Sequence, residues 1–268
     1  GGLGTSAWAV MAIAAAGEDP HDWGNPSIID YLKDNWGNLD WDKATDLERS
    51  ILAITAAGED PTDFGSQDYL NQLRSLYDGE QIGYAATLND DFWGILALIA
   101  AGESPSSDII INTCNFIKDN QNFDGGWNWE VGGDSDVDDT AAAIMALIAA
   151  GESFESDAII TGLTFLMYSQ NYDGGFPSLF GGDSNSASDS WAIGALVAAG
   201  EDKRDGAGQR GDDPADNLIS LQDTDGAFKY TTSQKTSPEF MTSYAIPALL
   251  GKPYPVAVYE APPPFDPW

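Results

Sequence analysis

The sequence predicts an all-α protein built as a closed two-layer ring of six inner and about five outer helices, ending in an extended proline-rich tail. Three observations predict it. The tripeptide Ala-Gly-Glu recurs with its glycine at 17, 58, 102, 151 and 200, a spacing of 41 to 49 residues that marks an array of repeats. Each glycine follows an Ala-rich run that is apolar nearly all round, as expected of a helix with neighbours on every side. After the glycine comes a second segment that is apolar on one face only. Fully buried helices alternating with half-buried ones close into a ring when the inner set runs parallel and the outer set antiparallel to it.

The inner helices are predicted at 5–16, 46–57, 90–101, 139–150 and 188–199, with a sixth, MTSYAIPALL, at 241–250. Glycine after each of the first five runs is the expected C-cap, and Pro20, Pro61 and Pro105 then start the next element. The outer helices are clearest as DIIINTCNFIKDN from Asp108 and DAIITGLTFLMYS from Asp157. Ile110, Cys114 and Ile117 share one stripe of the first, and Ile159, Leu163 and Leu166 one stripe of the second. Beyond Glu201 the segment DKRDGAGQRGDDPADN reads as a long loop before a short outer helix around Leu218–Leu221. Residues 1–251 form the ring in this reading. Residues 252–268, KPYPVAVYEAPPPFDPW, hold too many prolines for a helix; they run extended over the body or toward a partner, or serve as a linker.

Composition narrows the function. The chain has 43 acidic and 11 basic residues, a formal charge of -32, so its surface repels nucleic acid and anionic lipid and attracts cations or basic partners. Such acidity also suits a salt-rich milieu. No run of 18 apolar residues is present to form a transmembrane helix. Starting at Gly1 without a methionine or a signal peptide, the chain reads as processed or excised. Cys114 is the only cysteine, which excludes an intrachain disulfide.

The segment FIKDNQNFDGGW resembles the QW repeat of squalene-hopene cyclases, carried here by Phe116, Ile117, Gln121, Gly125 and Trp127. Phe165, Leu166, Gln170, Gly174 and Phe176 repeat it with Phe for Trp, and Gln222, Gly226 and Phe228 give a shorter copy. The resemblance is to the superfamily of terpenoid cyclases and protein prenyltransferases, and it implies their alpha/alpha toroid. The residues supply a physical reason: Gln bonds exposed backbone at a helix end, Gly-Gly allows a tight turn, and the ring plugs the joint between repeats.

Asp136-Val137-Asp138-Asp139-Thr140 resembles the DxDD motif of class II terpene cyclases, in which the middle aspartate protonates an alkene or epoxide. That resemblance implies Asp138 as acid with Asp136 and Asp139 beside it, and crowded carboxylates do keep one of their number neutral. The alternative is structural: Asp138, Asp139 and Thr140 are good N-cap residues, and Thr5, Asp46, Asp90, Asp91, Ser188 and Asp189 recur at equivalent positions. Class II cyclases pair two toroids, whereas one is present here. Prenyltransferases hold zinc with Asp, Cys and His, but His21 and Cys114 fall in unrelated repeats, so zinc is not expected. The Gly-Cys-Gly-Glu-Gln segment of complement-type thioester domains is missing. Cobalamin carriers and repeat domains of prokaryotic surface proteins share the ring without catalysing anything.

Counting back nine residues from the capping glycines gives Trp8, Arg49, Trp93, Ala142 and Trp191, and Tyr244 matches in the sixth repeat. These six are predicted to stand at one height, with Asp138 one turn nearer the helix starts, over the small Ala142. They outline a shallow ligand-binding pocket with aromatic walls, Arg49 as its cation and an acidic rim; the alternative is that the tryptophans are core. No cofactor is expected. Calcium stays open, because Asn120-x-Asn122-x-Asp124-Gly125 and Asp223-x-Asp225-Gly226 resemble half a calcium loop, although Val131 stands where the bidentate Glu belongs. The leading expectation is a non-catalytic extracellular or cell-surface domain binding a small-molecule ligand or protein partner, as part of a larger assembly. The alternative is a class II cyclase-like enzyme using Asp138, and a glycosidase would need two carboxylates across a cleft. The sequence leaves enzyme or non-enzyme open.

Overall fold

The computed structural model describes residues 2–201 and 213–259. Eleven α-helices are present among them: α1 (Leu3–Ala15), α2 (Ile28–Asp34), α3 (Ala44–Ala56), α4 (Tyr69–Ser75), α5 (Asn89–Ala100), α6 (Asp108–Asp119), α7 (Val137–Ala149), α8 (Asp157–Ser169), α9 (Ser186–Ala198), α10 (Pro214–Ser220) and α11 (Pro238–Leu249). The odd-numbered helices are the inner staves. Each packs on the next, α1 on α3, α3 on α5 and so on to α9 on α11, and α11 packs back on α1, so the ring closes. The even-numbered helices lie outside, each against the inner helix that precedes it.

The inner helices end where the glycines predicted. After α3, the Gly58 N–H bonds the Thr55 carbonyl at 2.9 Å and the Glu59 N–H the Ile54 carbonyl at 3.0 Å. That pairing needs a left-handed residue, supplied by Gly58 at φ 75°. The glutamates after three of these glycines have a use that the sequence did not reveal. Lys33 of α2 pairs with Glu59, Arg74 of α4 with Glu103, and Lys118 of α6 with Glu152. Each cation is the penultimate residue of its outer helix, so each pair ties an outer helix to the end of the following inner one.

The QW residues fasten the joints. The Gln121 amide donates to the carbonyls of Gly125 at 2.7 Å and Ala158 at 3.0 Å, linking its own loop to the first turn of α8. The fully buried Trp127 donates its indole N–H to the Ile117 carbonyl at 2.8 Å. Gly125 passes so close to α8 that a Cβ there would sit 2.5 Å from the Thr161 carbonyl oxygen. Gln170 and Gln222 bond the Gly174 and Gly226 carbonyls in the same way, with the buried Phe176 and Phe228 in place of the tryptophan.

Beyond α11 the chain turns inward before it runs on. The Lys252 ammonium donates to the Ala15 carbonyl at the end of α1, at 2.6 Å. Tyr254 and Val256 are buried, and the Tyr259 N–H reaches the Ala56 carbonyl at the end of α3, at 2.9 Å. The first part of the tail therefore closes the C-terminal end of the ring, and the rest of it, 260–268, lies outside the described residues.

Candidate ligand-binding site

The inner helices start one to three residues earlier than the apolar runs suggested, and this changes what the acids do. Asp136, not Asp138, is the N-cap of α7: its Oδ1 accepts from the Asp139 N–H at 2.8 Å and its Oδ2 from the Asn128 amide at 2.9 Å. Asn185 caps α9 in the same manner. Thr5, Asp46, Asp90, Asp91, Ser188 and Asp189, expected as caps, all stand inside their helices. Asp91 and Asp189 accept instead from the loop outside, from the Ile82 N–H at 2.8 Å and the Phe176 N–H at 2.6 Å. Thr140 does the equivalent for the Trp127 N–H, and Thr242 for the Phe228 N–H. A loop donor seated on the inner helix wins at these positions because both groups are buried, where an unmade hydrogen bond costs most.

Freed from capping, Asp138 faces a recess of about 370 Å³ at the N-terminal mouth of the ring. Trp8, Arg49, Trp93, Ala142, Trp191 and Tyr244 all line it, so the nine-residue count placed them at one height. Asp139 lines it too, while Asp136 stays outside as the cap. Trp8 stands in the middle of the floor, edge-on to Trp93, Trp191 and Tyr244 at centroid distances of 5.4, 5.6 and 5.0 Å. Tyr254 comes up from the tail beneath them, 5.6 Å from Trp8 and from Trp191 and 5.8 Å from Trp93. Five rings thus cross the axis. The tryptophans serve as core and as pocket floor at once, packed below and accessible above.

One wall is polar and the other apolar. Thr45, Asn89, Asp138 and Asp139 stand on α3, α5 and α7, and Phe240 stands opposite on α11. Arg49 lies over Gly4, where a Cβ would come within 2.6 Å of its Nη1, and it faces Asp46 at 3.6 Å. The Asp138 side chain keeps part of its surface on the recess, but its Oδ1 is out of reach of solvent and has no hydrogen-bond partner among the described residues. Its Oδ2 accepts from the Ser178 hydroxyl at 3.3 Å. Burial pushes the Asp138 carboxyl up to about 6; the Ser188 and Ser178 hydroxyls hold it down, and the Asp136 charge raises it. Asp139 is raised further, by burial first and then by Asp136, to which it is hydrogen bonded. Burial beside one another thus raises the carboxyls of this cluster, of which Asp138 and Asp139 line the recess.

The other candidate ligands are engaged elsewhere. His21 bonds Asp19 and Glu59, and Cys114 is buried, its thiol pushed up to about 11 by that burial. Among the described residues no three His, Cys, Asp or Glu side chains converge as a metal site. In the calcium-like loops, Asp124 accepts from the Gly126 N–H and the Ser135 hydroxyl, and Asn122 turns its amide onto the Gly133 carbonyl. Asp223 and Asp225 both hold the Lys235 ammonium.

Residues 91–180 match the family profile described as the squalene-hopene cyclase C-terminal domain. Solved structures extend the likeness to nearly the whole chain. Candida albicans protein geranylgeranyltransferase-I, complexed with GGPP, superposes with a TM-score of 0.67 at 13% identity, covering 92% of this chain and 83% of its own. A type II terpene cyclase from Scytonema gives 0.64 at 12% identity, over 93% of this chain and 87% of its own. The fold is the alpha/alpha toroid of terpenoid cyclases and prenyltransferases. A glycosidase also superposes, with a TM-score of 0.60 at 13% identity over 92% of this chain and 86% of its own, so the toroid does not select a chemistry. No curated protein matches the sequence.

Four lining or supporting residues were not foreseen. Thr45, Asn89 and Phe240 each stand four residues before a predicted floor position, the offset already applied to Asp138, so the rule that found one acid also reaches these three. Tyr254 left a fainter trace, the alternation of Tyr254 and Val256 in the tail.

Proposed function

We propose that this toroid is a binding domain that takes a compact, largely apolar ligand, or an apolar side chain of a partner protein, in the mouth recess without transforming it. The observation that carries this reading is the block of five rings across the axis: Trp8, Trp93, Trp191 and Tyr244 from the staves and Tyr254 from the tail. A recess stopped at that depth suits a short group and leaves no channel along the axis for an extended prenyl chain. The charge of -32 supports work outside the cell or at its surface, where a strongly acidic surface stays soluble in salt.

A second reading rests on Asp138, a carboxyl held near pH 6 at the edge of an aromatic recess, which is the electrostatic requirement for a proton donor to an alkene. Incubation with squalene, geranylgeranyl diphosphate and shorter prenyl substrates, with an Asp138→Asn control, decides between the two. Binding without product supports the first; product that disappears in Asp138→Asn replaces it with the second.

A further inference from the structure

The tilt of the rings on the recess floor narrows what can lie there. The planes of Trp8 and Trp93 cross at 82°, those of Trp8 and Trp191 at 63°, and those of Trp93 and Trp191 at 72°. Three planes so nearly perpendicular cannot all stand edge-on to the mouth, so at least one indole inclines a face toward it. An aromatic face is the negative side of the ring quadrupole, and indole attracts a cation more strongly than phenol or benzene does. Among the described residues the cation stacked on a ring is Lys33 over Phe64, away from the recess.

The charges around this floor are unevenly matched. Arg49 leans over Gly4 of α1 and faces Asp46 at 3.6 Å. Asp138 has no such counterpart: its Oδ2 accepts from the Ser178 hydroxyl, its buried Oδ1 has no hydrogen-bond partner, and no cation among the described residues pairs with it. One turn below it, Ala142 is the small residue of the floor tier, and Trp93 and Trp191 stand on the neighbouring staves α5 and α9. An acid without a cation thus overlooks an aromatic bed with room between its rings.

We propose that the mouth recess binds a quaternary methylammonium group, as in choline, with its methyl groups on Trp93 and Trp191 over Ala142 and its charge opposite Asp138. The assignment rests on the mouth being a binding site for a compact, largely apolar group, as proposed above, and it names the chemistry of that group. A quaternary ammonium has no N–H to donate, so it asks of Asp138 only the field of a charge, which is what a buried Oδ1 has to give. A primary ammonium on the same floor would leave its donors unmet where the rings offer no acceptor. The charge of -32 draws cations to the surface from a distance.

Calorimetric titration of the full chain tests this with choline, ethanolamine and 3,3-dimethylbutan-1-ol, the uncharged isostere of choline. It is run at pH 8, above the Asp138 value of about 6, and in about 0.15 M KCl, which screens the surface charge beyond about 8 Å. Choline is expected to bind at least tenfold tighter than either of the others, and Asp138→Asn to bring choline and its isostere within threefold of each other. An isostere that binds as tightly as choline overturns the ammonium assignment and leaves the binding reading standing; no binding of any of the three overturns both. Ethanolamine equal to choline overturns it as well, because the site would then be reading N–H donors. A preference for choline that persists in Asp138→Asn overturns it by placing the cation elsewhere on the acidic surface. Sedimentation with phosphatidylcholine vesicles separates the two sources of the group: chain carried down with them assigns a lipid head, and chain left in solution assigns a free small molecule.

Discussion

The two ends of the ring are built on opposite principles. At the N-terminal mouth the helix starts gather Asp138, Asp139, Asn89, Thr45 and Arg49 around an open recess. At the C-terminal end the glycine caps satisfy their own carbonyls, Lys252 covers the end of α1, and Tyr254 fills the axis. One end spends its residues on closure and the other leaves polar groups partly unmatched. Under the proposed function the mouth, with its unmatched polarity beside the aromatic rings, is the binding end, and the closed end sets the depth of the recess.

The contrast predicts that substitutions at the closed end cost stability and those at the mouth cost binding. The largest effect is expected for Tyr254→Ala, which deletes a buried ring shared by three tryptophans and should destabilise the chain by about 3–5 kcal/mol in urea unfolding. Tyr254→Phe should instead be neutral or stabilising by up to about 1 kcal/mol, because the buried hydroxyl has no hydrogen-bond partner among the described residues. A large loss in Tyr254→Phe would mean that the axis is wetter than the ring packing implies.

Stability should also depend on pH in an unusual direction. Burial raises Asp91 to about 8 and Asp138 to about 6, and it lifts Glu48 and Asp189 well above the ordinary carboxylate range. Both oxygens of Glu48 and one each of Asp91 and Asp189 lack hydrogen-bond partners among the described residues. A carboxyl with a raised folded pKa binds its proton more tightly in the native state, so its stabilisation is complete below about pH 4 and is lost as pH rises through the folded value. Between about pH 5 and 8.5 the melting temperature should therefore fall, and Asp91→Asn should flatten the slope. A melting temperature that rises over this range would mean these acids are ionised and paired.

Smaller effects sharpen the assignment of the acids. Asp136→Ala should cost about 1 kcal/mol as a lost cap. Asp138→Asn should change stability by less than that at pH 6, since Asp138 caps nothing. Equal costs for the two would return Asp138 to a structural role.

Much of this was legible because it is periodic. Gly17, Gly58, Gly102, Gly151 and Gly200 all adopt positive φ after an inner helix, so counting from them fixed the ring and the level of Trp8, Trp93 and Trp191. The count failed where a residue's partner lies in a loop outside its helix. Asp91 and Asp189 look like caps until the Ile82 and Phe176 N–H groups are seen seated on them. Asp138 looked like a cap because the apolar run placed the start of the helix at 139 rather than at Val137, where Asp136 holds the Asp139 N–H. Tyr254 was hidden because a proline-rich tail has no period to read, and the ion pairs of Glu59, Glu103 and Glu152 because each joins helices of neighbouring repeats.

The central claim is that the mouth recess binds on its tryptophan floor. Its most direct test is the fluorine NMR spectrum of the chain labelled with 5-fluorotryptophan, assigned by single Trp→Phe variants and titrated with geraniol and cyclohexanol. The account predicts that the Trp8, Trp93 and Trp191 resonances shift together and saturably while that of the buried Trp127 stays in place. Shifts confined to the other tryptophans, or none at saturating ligand, would contradict it.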